Sequence, residues 1–155
     1  MEKLHEDRTV GYHLAGVIPV SGLPSDLGMP WDPSLTQVGN KYTAIERSVL
    51  DCSQAGCNTI WIVCNDDVQP LIKDRLGDWV YDTRSVEGAN KTKRPADIKK
   101  RIPIFYTPIH PSDRDRRDSL GWSILHGALT AFLMSSKMSK WLTPDRYFVS
   151  FPCGV

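Results

Sequence analysis

Two short apolar runs with a capped helix between them constrain this chain more than any other feature. His13–Val20 (HLAGVIPV) and Thr59–Cys64 (TIWIVC) are continuous rather than alternating, the pattern of strands buried on both faces. Between them, Thr43 to Glu46 (TAIE) is a capping box: Thr43 can bond the third helical N–H and Glu46 can reach back to the cap. Ile45, Val49 and Cys52 recur at helical spacing with Leu50 beside them, and Gly56 stands where a helix ends on a positive φ. The order strand, helix, strand makes Gly11 to Ile62 a βαβ unit. It predicts an α/β fold and sets the loop after the first strand at a carboxyl end, where open sheets of this kind bind small ligands.

The chain has 155 residues, enough for one α/β domain with its own core. A formal net charge of +1 gives no global field to draw it to nucleic acid or acidic lipid. No run reaches the length needed to span a bilayer, and the opening MEKLHEDRTV lacks the apolar core of a secretory signal. A cytoplasmic protein with no membrane partner is the expectation. Cys52, Cys57, Cys64 and Cys153 include no CxxC pair and no zinc-like Cys/His spacing, so they read as small core residues in a reducing compartment.

Residues 1 to 11 read as a loose polar lead-in. Pro19 cannot donate to a ladder and ends the first strand near Ile18. Ser21 to Asn40 carries Gly22, Pro24, Gly28, Pro30, Pro33 and Gly39 without periodicity. It is either a ligand-binding loop whose glycines let backbone N–H groups approach phosphate or an irregular surface connection. Asn65-Asp66-Asp67 follows the second strand. Paired carboxylates there suit Mg²⁺, which takes oxygen ligands and keeps waters. The same place suits a helix cap, with Asp67 opening Val68 to Leu76, Pro70 in the first turn and Gly77 at the end. Asp78 to Arg101 is the most polar stretch, and Lys91, Lys93, Arg94, Lys99, Lys100 and Arg101 form a basic block, either a phosphate-facing patch or a solvated loop.

Ile102 to Thr107 predicts a third strand. Pro108 to Asp118 predicts a polar loop at its carboxyl end, where His110, Asp113, Arg114, Arg116 and Arg117 either engage an anion or pair among themselves. Asp118 or Ser119 caps a helix running to about Ser136, with a broad apolar face of Leu120, Ile124, Ala128, Ala131, Leu125, Leu129 and Phe132. Gly121 and Gly127 weaken that helix and mark close approach, of sheet backbone at Gly127 and of ligand at Gly121. Arg146 to Phe151 predicts a fourth strand. The abrupt stop after it reads either as a naturally minimal chain or as the first part of a longer one.

Five blocks carry a resemblance: Val17–Gly22 (VIPVSG) with Leu27–Pro30 (LGMP), Leu35–Arg47 (LTQVGNKYTAIER), Ala55–Val63 (AGCNTIWIV), Asp118–Leu129 (DSLGWSILHGAL) and Arg146–Phe151 (RYFVSF). Together they resemble the amino-terminal half of sugar-phosphate nucleotidyltransferases, and most of all the divergent members encoded by tailed phages. The resemblance implies a three-layer sandwich with a mainly parallel, Rossmann-like sheet flanked by helices, of the glycosyltransferase-A type. It implies a nucleoside triphosphate or nucleotide sugar bound by Val20, Ser21, Gly22, Gly28, Ser119, Gly121 and Trp122, with nucleotidyl transfer to a sugar phosphate and Mg²⁺ as cofactor. Three departures accompany it. The family's signature arginine is missing after Gly22, where Leu23 to Asp26 (LPSD) stands. Its catalytic lysine falls at Ser34, and its metal aspartate falls at Pro152 to Gly154 or beyond. Asp66, Asp67 and Lys41 are the candidate catalytic substitutes, Asp66 and Asp67 the candidate metal ligands, and Arg114, Arg116 and Arg117 the candidate phosphate-binding groups. The alternative is a catalytically inactive phage protein on this scaffold, acting in the host cytoplasm and binding a nucleotide or a host protein. Nucleic-acid binding is the weakest reading, since it needs Lys91 to Arg101 and Arg114 to Arg117 to merge into one basic face.

Overall fold

The computed structural model describes residues 12–22, 28–83, 101–117, 119–139 and 142–153. Its central sheet has five strands in the order β5-β6-β4-β1-β7: β1 (Leu14–Pro19), β4 (Thr59–Asn65), β5 (Trp79–Tyr81), β6 (Arg101–Ile109) and β7 (Arg146–Val149). β6, β4, β1 and β7 are mutually parallel, and β5 runs antiparallel to β6 along the edge. The α/β expectation therefore holds with a five-stranded, mostly parallel sheet. The predicted strand at Arg146 to Phe151 ends sooner, at Val149.

Strand order decides where the helices lie. The chain steps outward from β1 to β4 to β6, through α1 (Ala44–Ala55) and α2 (Gln69–Leu76), then reverses to β7 on the other side of β1 through α4 (Leu120–Met138). Right-handed crossovers in opposite directions put their helices on opposite faces. The core divides accordingly. Ile18, Ile60, Ile62, Cys64, Ile102 and Ile104 point towards α1 and α2, where Ile45, Val49, Cys52 and Ile72 meet them. The alternate residues Ala15, Val17, Trp61, Val63 and Ile109 point the other way, towards Ala131 and Trp122 of α4. Both apolar runs are therefore continuous because each strand feeds two cores.

The capping box forms at α1. The Thr43 N–H and hydroxyl donate to Glu46 Oε2 at 2.7 and 2.8 Å, and Gly56 closes the helix at φ 90°. Cys52, Cys57 and Cys64 are buried, and all four cysteines are free thiols.

Three expected loops contain regular structure. The stretch from Ser21 to Asn40 includes a 3-10 turn at Pro33–Leu35, started by the Asp32 carboxylate on the Ser34 N–H, and β2 (Gln37–Gly39), which pairs with β3 (Tyr42–Thr43). The polar stretch from Asp78 hides β5, in which exposed Trp79 and Tyr81 flank inward Val80; three residues are too few for an alternation to stand out. The loop after β6 contains α3 (Pro111–Arg117), a short helix of polar residues with no apolar stripe to reveal it.

The expected face of α4 is also corrected. Leu125, Leu129 and Phe132 are exposed, and the buried stripe is Ser123, Gly127, Ala131 and Ser135. Small residues win because they let the helix axis approach the strands. A Cβ on Gly127 would lie 2.7 Å from Val63 Cγ2 and 2.8 Å from Val17 Cγ1. Gly127→Ala is therefore expected to lower stability in urea denaturation by about 1–3 kcal/mol through overpacking. Gly121→Ala on the same helix meets nothing within 4 Å and is expected to leave stability unchanged or raise it by up to ~1 kcal/mol. Equal effects at the two glycines would contradict the close packing at Gly127.

Candidate functional site

The carboxyl ends of β1 and β4 are joined by a short polar lattice. Pro19 ends the regular strand, and the chain turns with the Val20 and Ser21 N–H groups both donating to the Val63 carbonyl, at 2.8 and 3.2 Å. The Ser21 hydroxyl donates to Asn65 Oδ1 at 2.6 Å, and the Ser123 hydroxyl of α4 donates to the Ser21 carbonyl at 3.0 Å. Gly22 then adopts φ +80°, and a Cβ there would lie 2.7 Å from the Ser119 carbonyl carbon and 2.8 Å from the Leu120 nitrogen. The turn after β1 and the amino end of α4 thus meet backbone to backbone. Ser119 caps that end, its hydroxyl accepting from the Trp122 N–H at 3.3 Å. The amides of Leu120 and Gly121 precede the intrahelical ladder, and the space at Gly121 is open. A glycine turn against a helix amino terminus favours an anion through both its free N–H groups and its dipole.

Beside this turn, β4 runs into Asn65, Asp66 and Asp67. Arg114 of α3 bonds the Asp66 carboxylate through Nη2, and the same nitrogen lies 3.2 Å from Asp67 Oδ1. Arg114 Nε is buried without an acceptor. Asp67 does not cap α2: Val68 holds the cap position, and its N–H bonds the Asn65 carbonyl instead. The ion pair with Arg114 is what engages the Asp67 side chain in place of a cap. Both aspartates offer oxygen ligands, but the Arg114 guanidinium already engages both and offsets one of their two charges. Among the described residues no group of three His, Cys, Asp or Glu side chains gathers as a metal site. Two carboxylates already held by Arg114 do not fit a preformed Mg²⁺ site.

The other sequence candidates are dispersed. Lys41 sits at φ 62° in the β2–β3 turn, where its carbonyl accepts from Arg75 Nη2 at 2.7 Å; the Arg75 side chain also pairs with Glu46. That links Lys41 to the start of α1 rather than to the aspartates. Gly28 is exposed with φ +61°, and no atom of the described residues lies within 4 Å of where its Cβ would stand. The Trp122 indole packs on the Val17, Val63 and Ile109 cluster and stacks on His126 with centroids 4.7 Å apart, so it buttresses the site from below. Arg116 and Arg117 fall in the last turn of α3, with side chains outside the described part. Of the basic block only Arg101 is described, over the Trp79 ring at 4.3 Å; Lys91 to Lys100 lie outside the described residues.

Three residues of this region were not legible as site residues. Asn65 and Ser123 are short polar side chains in apolar segments, and only their contacts with Ser21 reveal a role. Asp32 leads the 3-10 turn, and its charge reaches both Cys64 and Cys153. Burial, helped by Asp32 and Asp67, pushes the Cys64 thiol up to about 12, so it stays protonated and is no nucleophile.

No family model, no curated protein and no solved structure matches this chain. Gly22→Ala adds a clash with the Ser119–Leu120 backbone to left-handed strain, whereas Gly28→Ala adds about 1 kcal/mol of strain alone. Urea denaturation is expected to show the larger loss for Gly22→Ala. Equal losses would mean that the turn and helix end do not touch.

Proposed function

We propose that this chain is a nucleotidyltransferase-like domain, a three-layer sandwich around a Rossmann-like sheet, that binds a nucleoside triphosphate or nucleotide sugar at the carboxyl ends of β1 and β4. The observation that carries this reading is the contact of the Gly22 turn with the amino terminus of α4. That contact gathers backbone donors at one point, next to the place where strand order reverses between β1 and β7, the general position of nucleotide crevices in open parallel sheets. In this reading the amides of Leu120 and Gly121 face a phosphate. The Ser21–Asn65 and Ser123–Ser21 bonds pre-organise Ser21, which lowers the ordering cost of binding there. Arg114 is the nearby cation. Asp66 and Asp67 are the carboxylates that Mg²⁺ carried in on the nucleotide would meet. Transfer of a nucleotidyl group to a sugar phosphate is the activity that this family resemblance implies.

A second reading has its own support. Phosphoryl-type transfer needs charge neutralisation at the reacting phosphate, and here the described arginine of the crevice is paired with two carboxylates. That favours a protein that retains the pocket for binding without turnover; the resemblance to phage-encoded members adds that it would act in the host cytoplasm, with a nucleotide or a host protein as partner.

A thermal-shift panel of nucleoside triphosphates and nucleotide sugars, with and without Mg²⁺, tests the common part of both readings. A ligand at 100 times its Kd adds about 2.7 kcal/mol of stability by mass action, so a rise of several degrees is expected for one base. A Mg²⁺-enhanced shift that disappears in Asp66→Ala and Asp67→Ala supports the transferase. A shift indifferent to Mg²⁺ supports binding alone, and no shift at millimolar nucleotide would overturn the nucleotide site.

A further inference from the structure

Helix α4 holds one charged residue, Lys137, in its 19 positions. A helix that is apolar all round is ordinarily buried all round, but this one presents its small residues to the sheet and its large ones to water. Leu125 is 65% exposed, Leu129 53%, Phe132 45% and Leu133 47%. Positions i, i+4, i+7 and i+8 make these one stripe, a ridge along the outer face. Beside the ridge, on the same face of the sheet, lies a trough of about 670 Å³ whose lining includes Trp61, Phe105, Met134, Met138 and Leu142. Trp61 and Phe105 form its floor, their rings stacked at 4.4 Å. Phe105 remains exposed there because no described helix covers β6 on this side.

We propose that a second copy of this chain covers the surface, the α4 ridge of each protomer lying in the trough of the other around a twofold axis. An interface of this symmetry must be complementary to itself, and a ridge beside a trough of the same chemistry meets that demand. The stripe has no charge, so the axis brings no like charges together. The four ridge residues with Met134 and Met138 leave on the order of 700 Å² in water. That exceeds the ~300–600 Å² patch of a typical monomer and approaches the ~800 Å² that one partner gives to a standard interface. A lipid surface fits less well, because interfacial helices border their apolar face with several basic residues and α4 has only Lys137. The interface does not depend on the nucleotide reading, since it uses the outer face of α4 and not its amino end.

Sedimentation equilibrium of the full chain at 1 to about 50 micromolar, in the range where such interfaces associate, is the test. The expected mass is that of two chains. Leu129→Asp and Phe132→Glu, both at exposed positions, are expected to raise the dissociation constant at least tenfold while circular dichroism stays that of the wild type. Lys137→Glu is expected to leave the dimer intact. If either apolar variant fails to fold, Leu125→Lys at the most exposed ridge position replaces it. A wild-type chain that sediments as one copy overturns the proposal, whether or not it binds anionic vesicles, and so does a dimer that survives all the ridge substitutions.

Discussion

The close approach of α4 to the sheet is the contact on which the rest depends. Gly127 lets the helix rest on the Val17 and Val63 side chains, and Ser123, Ala131 and Ser135 extend the same narrow stripe. Seating the helix this low has two consequences. Its first turn reaches the backbone of the Gly22 turn, and Ser123 comes within hydrogen-bonding distance of Ser21. Its large apolar side chains, left without room on the inside, turn outward. The candidate crevice and the exposed ridge are thus two results of one packing choice.

Strand order supplies the second constraint. The chain must cross from β6 over two strands to reach β7, and handedness sends that crossover to the face opposite α1 and α2. The amino end of α4 therefore returns to the carboxyl end of β1 from the side that α1 does not occupy. Within the crevice Arg114 offsets one of the two charges of Asp66 and Asp67, which leaves the three side chains net negative, so the attraction for an anion rests on the helix dipole and the amides of its first turn. A crevice whose described arginine is already paired suits recognition by backbone groups better than it suits strong charge stabilisation of a transition state.

The parts of this structure that rest on local pattern were legible in the sequence. The two apolar runs, the capping box at Thr43 and Glu46, the left-handed Gly56 and the capped start of α4 at Ser119 each follow from a rule of neighbouring residues. What escaped depends on contacts between distant segments. Nothing local tells that Ser123 and Gly127, not Leu125 and Phe132, face the sheet, because an apolar helix has no polar side to orient it. Asp67 looks like a cap until Arg114, 47 residues on, takes its carboxylate. β5 and α3 are too short or too uniformly polar for periodicity to mark them. Ser21, Gly22 and Ser119, which the family resemblance implied as site residues, lie together, whereas Lys41 belongs to a different set of contacts.

The proposed anion-binding surface joins the Gly22 turn to the first turn of α4, and amide chemical-shift mapping of the full chain by two-dimensional NMR, during titration with each of the four ribonucleoside triphosphates, reads it residue by residue. At least one of the four is expected to shift the amides of Ser21, Gly22, Leu120 and Gly121 first and furthest, with smaller changes at Asn65 and Arg114. Largest shifts at β5 or around the trough, or no shifts with any of the four, would contradict it.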